Sequence, residues 1–387
     1  MHIVEVTAAS LRFADAAPAQ APTEGFIWIY LDRADFAAHT ELLQQTAQRL
    51  GGSALLDVHL ADLANDAHPS DYDATSIYDI VVFRRLATLA EVQREGEPGA
   101  AAPGPDGPAR APTAKAAQLA RLNDAFARIA SRAVGFAIFD KLLISVHPGG
   151  CYTAHGFIQR FLADARLAVD SASARNRVPQ SPADLVLRMV NTMVDSYLDL
   201  RKDLTAALEL VQHELLRPIA RPTAWNGVIH ARRRLQLLED LCEEQHDAMQ
   251  EWLDTLHELP LAAYAADAAL AQARRDQLMA RARDVVEHID RVLHHARRLE
   301  HSAEMAVQLH FGAQGQRTND IMRTLTAVTA IFLPLNLFTG FFGMNFDHLP
   351  LIHSVEGMWT ALALLVLLAA GIVVLFLRRR YITRTRR

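Results

Sequence analysis

The run FFGMNFDHLP, residues 341–350, concentrates the groups in this 387-residue chain that could select a ligand without making or breaking a bond. It closes the first of two long uncharged stretches, and an asparagine at that depth, Asn345, is costly in lipid unless it faces protein or water. The Asn345 carboxamide oxygen is a neutral acceptor that can hydrogen-bond the water shell of Mg²⁺, an ion that sheds its inner waters reluctantly. Gly343 next to Met344 removes side-chain bulk and lets backbones approach closely. This is the chemistry of ion passage. Signatures of bond-making sites are missing: GxxxxGK[ST], GxGxxG, HExxH, CxxC and GxSxG do not occur, which argues against an ATP-driven pump or a zinc hydrolase. His288, His294, His295 and His301 recur at seven-residue steps, but arginines lie between them and no cysteine is near, so they do not read as soft-metal ligands. Glu239, Glu243, Glu244 and Asp247 form an acidic helix face of the solvated kind.

Placing such an asparagine requires membrane spans, and the sequence supplies two. Thr324–Phe346 is twenty-three residues without a charge and Gly357–Leu377 is twenty-one. Each is long enough for a hydrocarbon layer of about 30 Å at about 1.5 Å per residue. The whole-chain averages, 51% apolar and 21% charged with a net charge of −5, conceal this concentration. The last ten residues, RRRYITRTRR, hold six arginines, whereas Asp347–Glu356 between the spans holds no lysine or arginine. The positive-inside rule then predicts a cytoplasmic C-terminus and an outside loop, and an even number of spans keeps the N-terminal part in the cytoplasm as well. The arginine tail reads as a topology anchor on anionic lipid, not as a nucleic-acid patch. Two cysteines, Cys151 and Cys242, rule out a disulfide framework and fit a reducing compartment. The start MHIVEVTAASLRF lacks the pattern of a secretion signal, so the sequence predicts a multi-pass protein of the cytoplasmic membrane.

Residues 1–170 read as a cytosolic α/β domain. Short apolar runs at His2–Val6, Phe26–Leu31, Ile80–Leu86 and Gly135–Val146 are strand-like, and helical periods lie at Ala34–Leu50 and Ala116–Ser131. Within it, the Pro/Gly/Ala-rich stretch 95–113 has too little apolar surface to offset its ordering entropy and is expected to be a disordered insertion. Residues 181–259 predict two long antiparallel helices joined at the Pro218–Pro222 break. Residues 260–346 predict a stalk helix continuing into the first span, followed by a loop at 347–356, a second span at 357–377 and a basic tail at 378–387. Along the stalk, Leu278, Ala282, Val285, Ile289, Val292, Ala296, Leu299, Ala303 and Ala306 keep the 3.5-residue spacing of a supercoiled seam. A lone helix has nothing to bury that stripe against, so the spacing predicts self-association of several copies into a stalk.

The segment RTNDIMRTLTAVTAIFLPLNLFTGFFGMNF resembles the first transmembrane helix of the CorA family of divalent-cation channels, which ends in Gly-Met-Asn, here Gly343-Met344-Asn345. Asn319, Met322, Leu325, Thr326, Phe332, Pro334, Gly340 and Phe346 also agree, and Arg283-Asp284-Val285 with His288 fits the family's stalk. The resemblance is strong over residues 278–387 and diffuse before them. It implies an α+β membrane protein assembled as a homopentamer, with a cytosolic domain, a helical stalk and two C-terminal transmembrane helices. In that assembly Asn345 would form the outer selectivity ring, shaped by Gly343 and Met344, while Asn336, Leu333, Leu325, Met322 and Asn319 line the pore inward. Mg²⁺, with Co²⁺ and Ni²⁺ as further candidates, would be the cargo, with no other cofactor and no nucleic-acid partner. The resemblance further implies feedback by cytosolic Mg²⁺ at a subunit contact that includes Asp284.

Two departures stand out. The family usually has threonine where this chain has Asn336, and where members often continue Met-Pro-Glu this chain has Leu349-Pro350-Leu351. The plainer readings are an interhelical hydrogen bond for Asn336, packing for Met322 and Leu325, a tolerated span proline for Pro334 and a solvated charge for Asp284. A zinc transporter of the ZntB branch shares the architecture but usually departs from methionine at the middle signature position. A membrane-anchored scaffold would need the spans only as an anchor.

Overall fold

The computed structural model describes residues 1–7, 11–88, 91, 125–167, 178–215, 217, 222–260, 267–344 and 355–378. The insertion 95–113, Asn345, Phe346, the loop Asp347–Ser354 and the tail beyond Arg378 lie outside the described residues, as does most of the helix expected at Ala116–Ser131. The chain divides into two units, Met1–Glu304 and Met305–Arg387.

In the first unit, seven strands form one sheet: β1 (His2–Val6), β2 (Leu11–Ala14), β3 (Phe26–Asp32), β4 (Asp71–Ala74), β5 (Asp79–Leu86), β6 (Ser131–Ile138) and β7 (Leu142–His147), in the order β2-β1-β3-β7-β6-β5-β4. Only β3 and β7 pair in parallel. Period-two alternation sends Ile3, Ile27, Ile29, Ile80, Val82, Leu142 and Ile144 to one face, where they meet Phe36 and Leu43 of α1 (Phe36–Thr46) and Leu63 of α2 (Asp57–Ala64). The α2 contact is close enough to require Gly135, because a Cβ there would lie 2.5 Å from Leu63 Cδ2. Trp28, Tyr30, Phe83 and Phe136 take the other face and are almost fully buried. There Trp28 stands edge-on to Phe157 of α3 (Tyr152–Leu167) at 6.1 Å between ring centres. The apolar run Gly135–Val146, read as one strand, is a hairpin. Phe139 N–H donates to the Leu142 carbonyl at 2.8 Å, so the turn around Asp140 and Lys141 fits between β6 and β7.

The buried face also carries His147, which is 0% exposed. Its Nε2 lies 2.9 Å from Ser145 Oγ, which accepts the Trp28 indole N–H at 2.8 Å. Burial, and then the charges of Arg85 and Arg33, push the imidazole down from 6.5 to about 3. The unfolded chain takes up this proton below about 6.5 while the fold refuses it, so the stability contributed by neutral His147 is full above that pH and is lost as pH falls toward about 3. Full-length protein in detergent should therefore lose on the order of 2 kcal/mol from this group between about pH 7.5 and about pH 5. Unfolding curves at the two pH values should show a smaller difference in His147→Asn. An equal difference in the two proteins contradicts the assignment.

Two long helices follow, α4 (Pro182–Leu215) and α5 (Pro222–Glu258), and then α6 (Ala268–Phe342), one continuous helix of 75 residues. α4 and α5 run antiparallel closely enough that a Cβ on Gly227 would lie 3.3 Å from Val211 Cγ1. They join the sheet through Gln245, whose amide donates to Tyr197 Oη at 2.9 Å and to the Arg84 carbonyl, and through Trp252, stacked on Tyr72 of β4. The stalk part of α6 within the first unit packs onto both helices. Arg281 meets Asp184 of α4 at 2.7 Å, Gln212 donates to Ser302 at 3.0 Å, Arg232 of α5 meets Glu300 at 2.8 Å, and Arg297 binds Glu239 at 2.7 Å and also Glu243.

These cross-links overturn the inference drawn from the seam. Ala282, Val285, Ile289, Ala296 and Ala303 are 0% exposed within a single chain, and Leu278, Val292 and Leu299 are at most 8% exposed. The 3.5-residue stripe is covered by the chain's own α4 and α5. Its spacing reports a three-helix packing and carries no information on the number of copies.

The second unit holds the end of α6 and α7 (Val355–Arg378). Both contain stretches long and apolar enough to cross a membrane, and these are bare: 6% of the α6 window is buried and 0% of the Glu356–Leu375 window. Leu333, Leu337, Leu364 and Leu367 are 59–76% exposed. A core helix of a water-soluble protein would be mostly buried, so surfaces apolar on all sides identify membrane segments.

Candidate functional site

Helix α6 runs unbroken through Pro334, although the missing proline N–H leaves the Ala330 carbonyl without its usual partner. Thr326 and Thr339 return their hydroxyls to the carbonyls of Met322 and Leu335 at 2.8 and 3.0 Å, which keeps their polar atoms off the apolar surface. The helix closes at the signature residues. Gly343 N–H still donates to the Thr339 carbonyl at 2.9 Å, and Met344 N–H tightens to Phe341 at 3.4 Å. Gly343 is not left-handed, so the backbone there does not demand glycine; a Cβ would sit 3.1 Å from the Thr339 carbonyl oxygen.

At 3.6 residues per turn, Asn319, Met322, Leu325, Leu333 and Asn336 fall within an arc of about 120°. All five are exposed. Met322, Leu325 and Leu333 are 56%, 58% and 69% exposed, and the carboxamides of Asn319 and Asn336 make no hydrogen bond among the described residues. Such a carboxamide in the middle of an apolar span needs water or another polypeptide, since lipid supplies no partner. The stripe therefore places an acceptor, Asn336, at mid-span, the apolar side chains of Leu333, Leu325 and Met322 before it along the helix, and a second carboxamide, Asn319, before those. Asn345 is outside the described residues.

Asp284 sits on the stalk part of α6 with its side chain 53% exposed. Its carboxylate is 3.7 Å from His288 Nε2 one turn on, and His288 Nδ1 is 3.5 Å from Asp195 on α4. The i,i+4 spacing of Asp284 and His288 was visible in the sequence. Asp195, some ninety residues earlier, carried no such signal. Among the described residues no group of three or more His, Cys, Asp or Glu side chains is arranged to hold a metal. One chain thus presents a half-exposed Asp284 carboxylate with an imidazole and a second carboxylate behind it.

A sheet domain, a three-helix packing and, among the described residues, two bare apolar helices long enough to span define a membrane protein with a large domain outside its spans. Residues 117–380, more than half of the chain, match the family described as "CorA-like Mg2+ transporter protein", and the chain belongs to that family. It is a family of membrane-embedded divalent-cation transporters and not of enzymes. Over 209 residues the chain is 22% identical to the cobalt/magnesium transport protein CorA of Thermotoga maritima, covering 54% of this chain and 55% of that protein. Over 63 residues it is 41% identical to the putative metal ion transporter YfjQ of Bacillus subtilis, covering 16% of this chain and 20% of that one. The chain thus spans between a fifth and about half of these curated relatives. The solved CorA magnesium transporter of Methanocaldococcus jannaschii has the same fold, with a TM-score of 0.68 at 15% identity over 98% of both chains.

Proposed function

We propose that five copies of this chain assemble in the cytoplasmic membrane, with both termini inside, as a channel that admits Mg²⁺. The observation that carries this reading is the arc of α6 that holds Asn319, Met322, Leu325, Leu333 and Asn336 on a span exposed all round, leading to Gly343-Met344 where the helix closes. In an assembly, that face turns inward and the remaining apolar surface meets lipid and α7. Asn345 and Asn336 accept hydrogen bonds from the hydration shell, while Met322 and Leu325 form a constriction that closes by dewetting. The membrane potential supplies about 2.3 kcal/mol per charge per 100 mV, hence about 4.6 for a divalent ion, and no nucleotide is required. Cytosolic Mg²⁺ bridging Asp284 to a neighbouring copy holds the closed state, which requires tighter binding there than in the open state.

Cation choice separates this reading from zinc transport on the same architecture. In liposomes carrying the purified protein, Mg²⁺ flux should exceed Zn²⁺ flux and should be indifferent to a pH gradient. Zn²⁺ flux that depends on the gradient, with little for Mg²⁺, contradicts it.

A further inference from the structure

The surface where α4 meets the stalk part of α6 carries a second feature, unrelated to ion passage. A cavity of about 330 Å³ opens there, lined by Arg201, Lys202, Thr205, Ala206 and Glu209 of α4 and by His295 and Arg298 of α6. Its volume is that of a small-ligand site. Cations without an ion pair among the described residues also occur singly on these helices, as at Arg233 and Arg283; here three of them line one cavity. Elsewhere Arg188, Arg281, Arg232, Arg297 and Arg128 each sit on a carboxylate of the same chain. Arg201, Lys202 and Arg298 have no ion pair among the described residues, and Glu209 is the only carboxylate lining the cavity.

Hydrogen bonds tie one of these cations, Arg298, to the cavity wall. Arg298 Nη2 lies 3.2 Å from His295 Nδ1, which must accept, and His295 Nε2 is then the donor toward Thr205 Oγ1 at 3.3 Å. Thr205 in turn donates to the Arg201 carbonyl at 2.9 Å. The imidazole is thereby fixed in its neutral form, consistent with burial, Arg298 and Arg201 all lowering its pKa. Two guanidinium groups and an ammonium line the open cavity against one carboxylate of the chain, Glu209. Guanidinium forks match phosphoryl oxygens in pairs, and three cations against one carboxylate call for a ligand with more than one negative charge.

We propose that this cavity binds a multiply charged phosphoryl anion, a polyphosphate chain of the kind carried by inorganic triphosphate or a nucleoside triphosphate, through Arg201, Lys202 and Arg298. The test is calorimetry of the full-length protein in detergent, titrated with inorganic triphosphate in Mg²⁺-free buffer so that chelation contributes nothing. Binding should be measurable, stronger than that of sulfate, and weakened by added salt. Arg298→Gln and Arg201→Gln should each weaken it about tenfold or more, Arg298→Lys should lose less than Arg298→Gln, and Arg128→Gln, which breaks a pair with Asp203 elsewhere, should leave it unchanged. Absence of triphosphate binding, or equal affinity in the Arg201 and Arg298 variants, overturns the proposal. So does dissociation of the assembly by those variants without any triphosphate binding by the parent, because the cations would then belong to carboxylates of a second copy. Mg²⁺ flux is not the readout, so this result stands or falls apart from the channel reading.

Discussion

Asn345→Ala should abolish selective Mg²⁺ uptake, with a loss of at least tenfold in flux, while the protein still purifies as the same oligomer. A ring of carboxamide oxygens offers neutral acceptors to the water shell of an ion that will not readily part with it, and alanine removes every one of them without adding bulk. Packing is spared because α6 is already closed by the Gly343 and Met344 hydrogen bonds before position 345 is reached. Flux into liposomes, followed with a Mg²⁺-sensitive dye, and the elution volume of the detergent-solubilised protein check the two halves. Uptake equal to the parent's would show that the selective ring lies elsewhere. A collapsed oligomer would show that Asn345 is a packing residue.

Asp284→Asn tests regulation separately from conduction. The substitution keeps the shape and one oxygen acceptor and removes the charge that draws Mg²⁺. If the carboxylate bridges copies through the ion, the closed state loses part of its differential affinity, and the variant conducts at internal Mg²⁺ concentrations that silence the parent. A shift of about tenfold in the half-inhibiting concentration corresponds to about 1.4 kcal/mol of lost coupling. Because His288 stands between Asp284 and Asp195, Asp195→Asn should move the curve in the same direction by less. Superimposable inhibition curves for parent and Asp284→Asn would make Asp284 a solvated stalk charge and leave the pore assignment untouched.

The parts of the fold that were legible in the sequence are those set by one-dimensional physics. Twenty-three and twenty-one uncharged residues in a row are long enough to span a bilayer, and β3 shows as a continuous apolar run because both of its faces are buried. What stayed hidden depends on partners distant in the chain. The stripe from Leu278 to Ala303 announced a buried face but not what buries it, and the answer, α4 and α5, came from pairs such as Arg281 with Asp184 and Arg297 with Glu239. The β6–β7 hairpin was invisible because its turn separates two apolar runs too briefly to break the pattern. Helix α3 at Tyr152–Leu167 was not anticipated at all. For the site, Gly343, Met344 and the residues along α6 were named through the resemblance to the family's first transmembrane helix, not through spacing. Asp195 and the cations of the α4–α6 groove could not be read at all, since residues near 200 and near 295 meet only in the folded chain.

Under the proposed function the chain forms a pore for Mg²⁺ moved by voltage alone. The most direct measurement is Mg²⁺ uptake into liposomes that hold the purified protein, with a potassium gradient and valinomycin setting an inside-negative potential and no nucleotide present. Uptake should appear with the potential, vanish when it is clamped to zero at equal Mg²⁺ on both sides, and be absent from liposomes without protein. Uptake that ignores the potential, or none at all from correctly assembled protein, would contradict it.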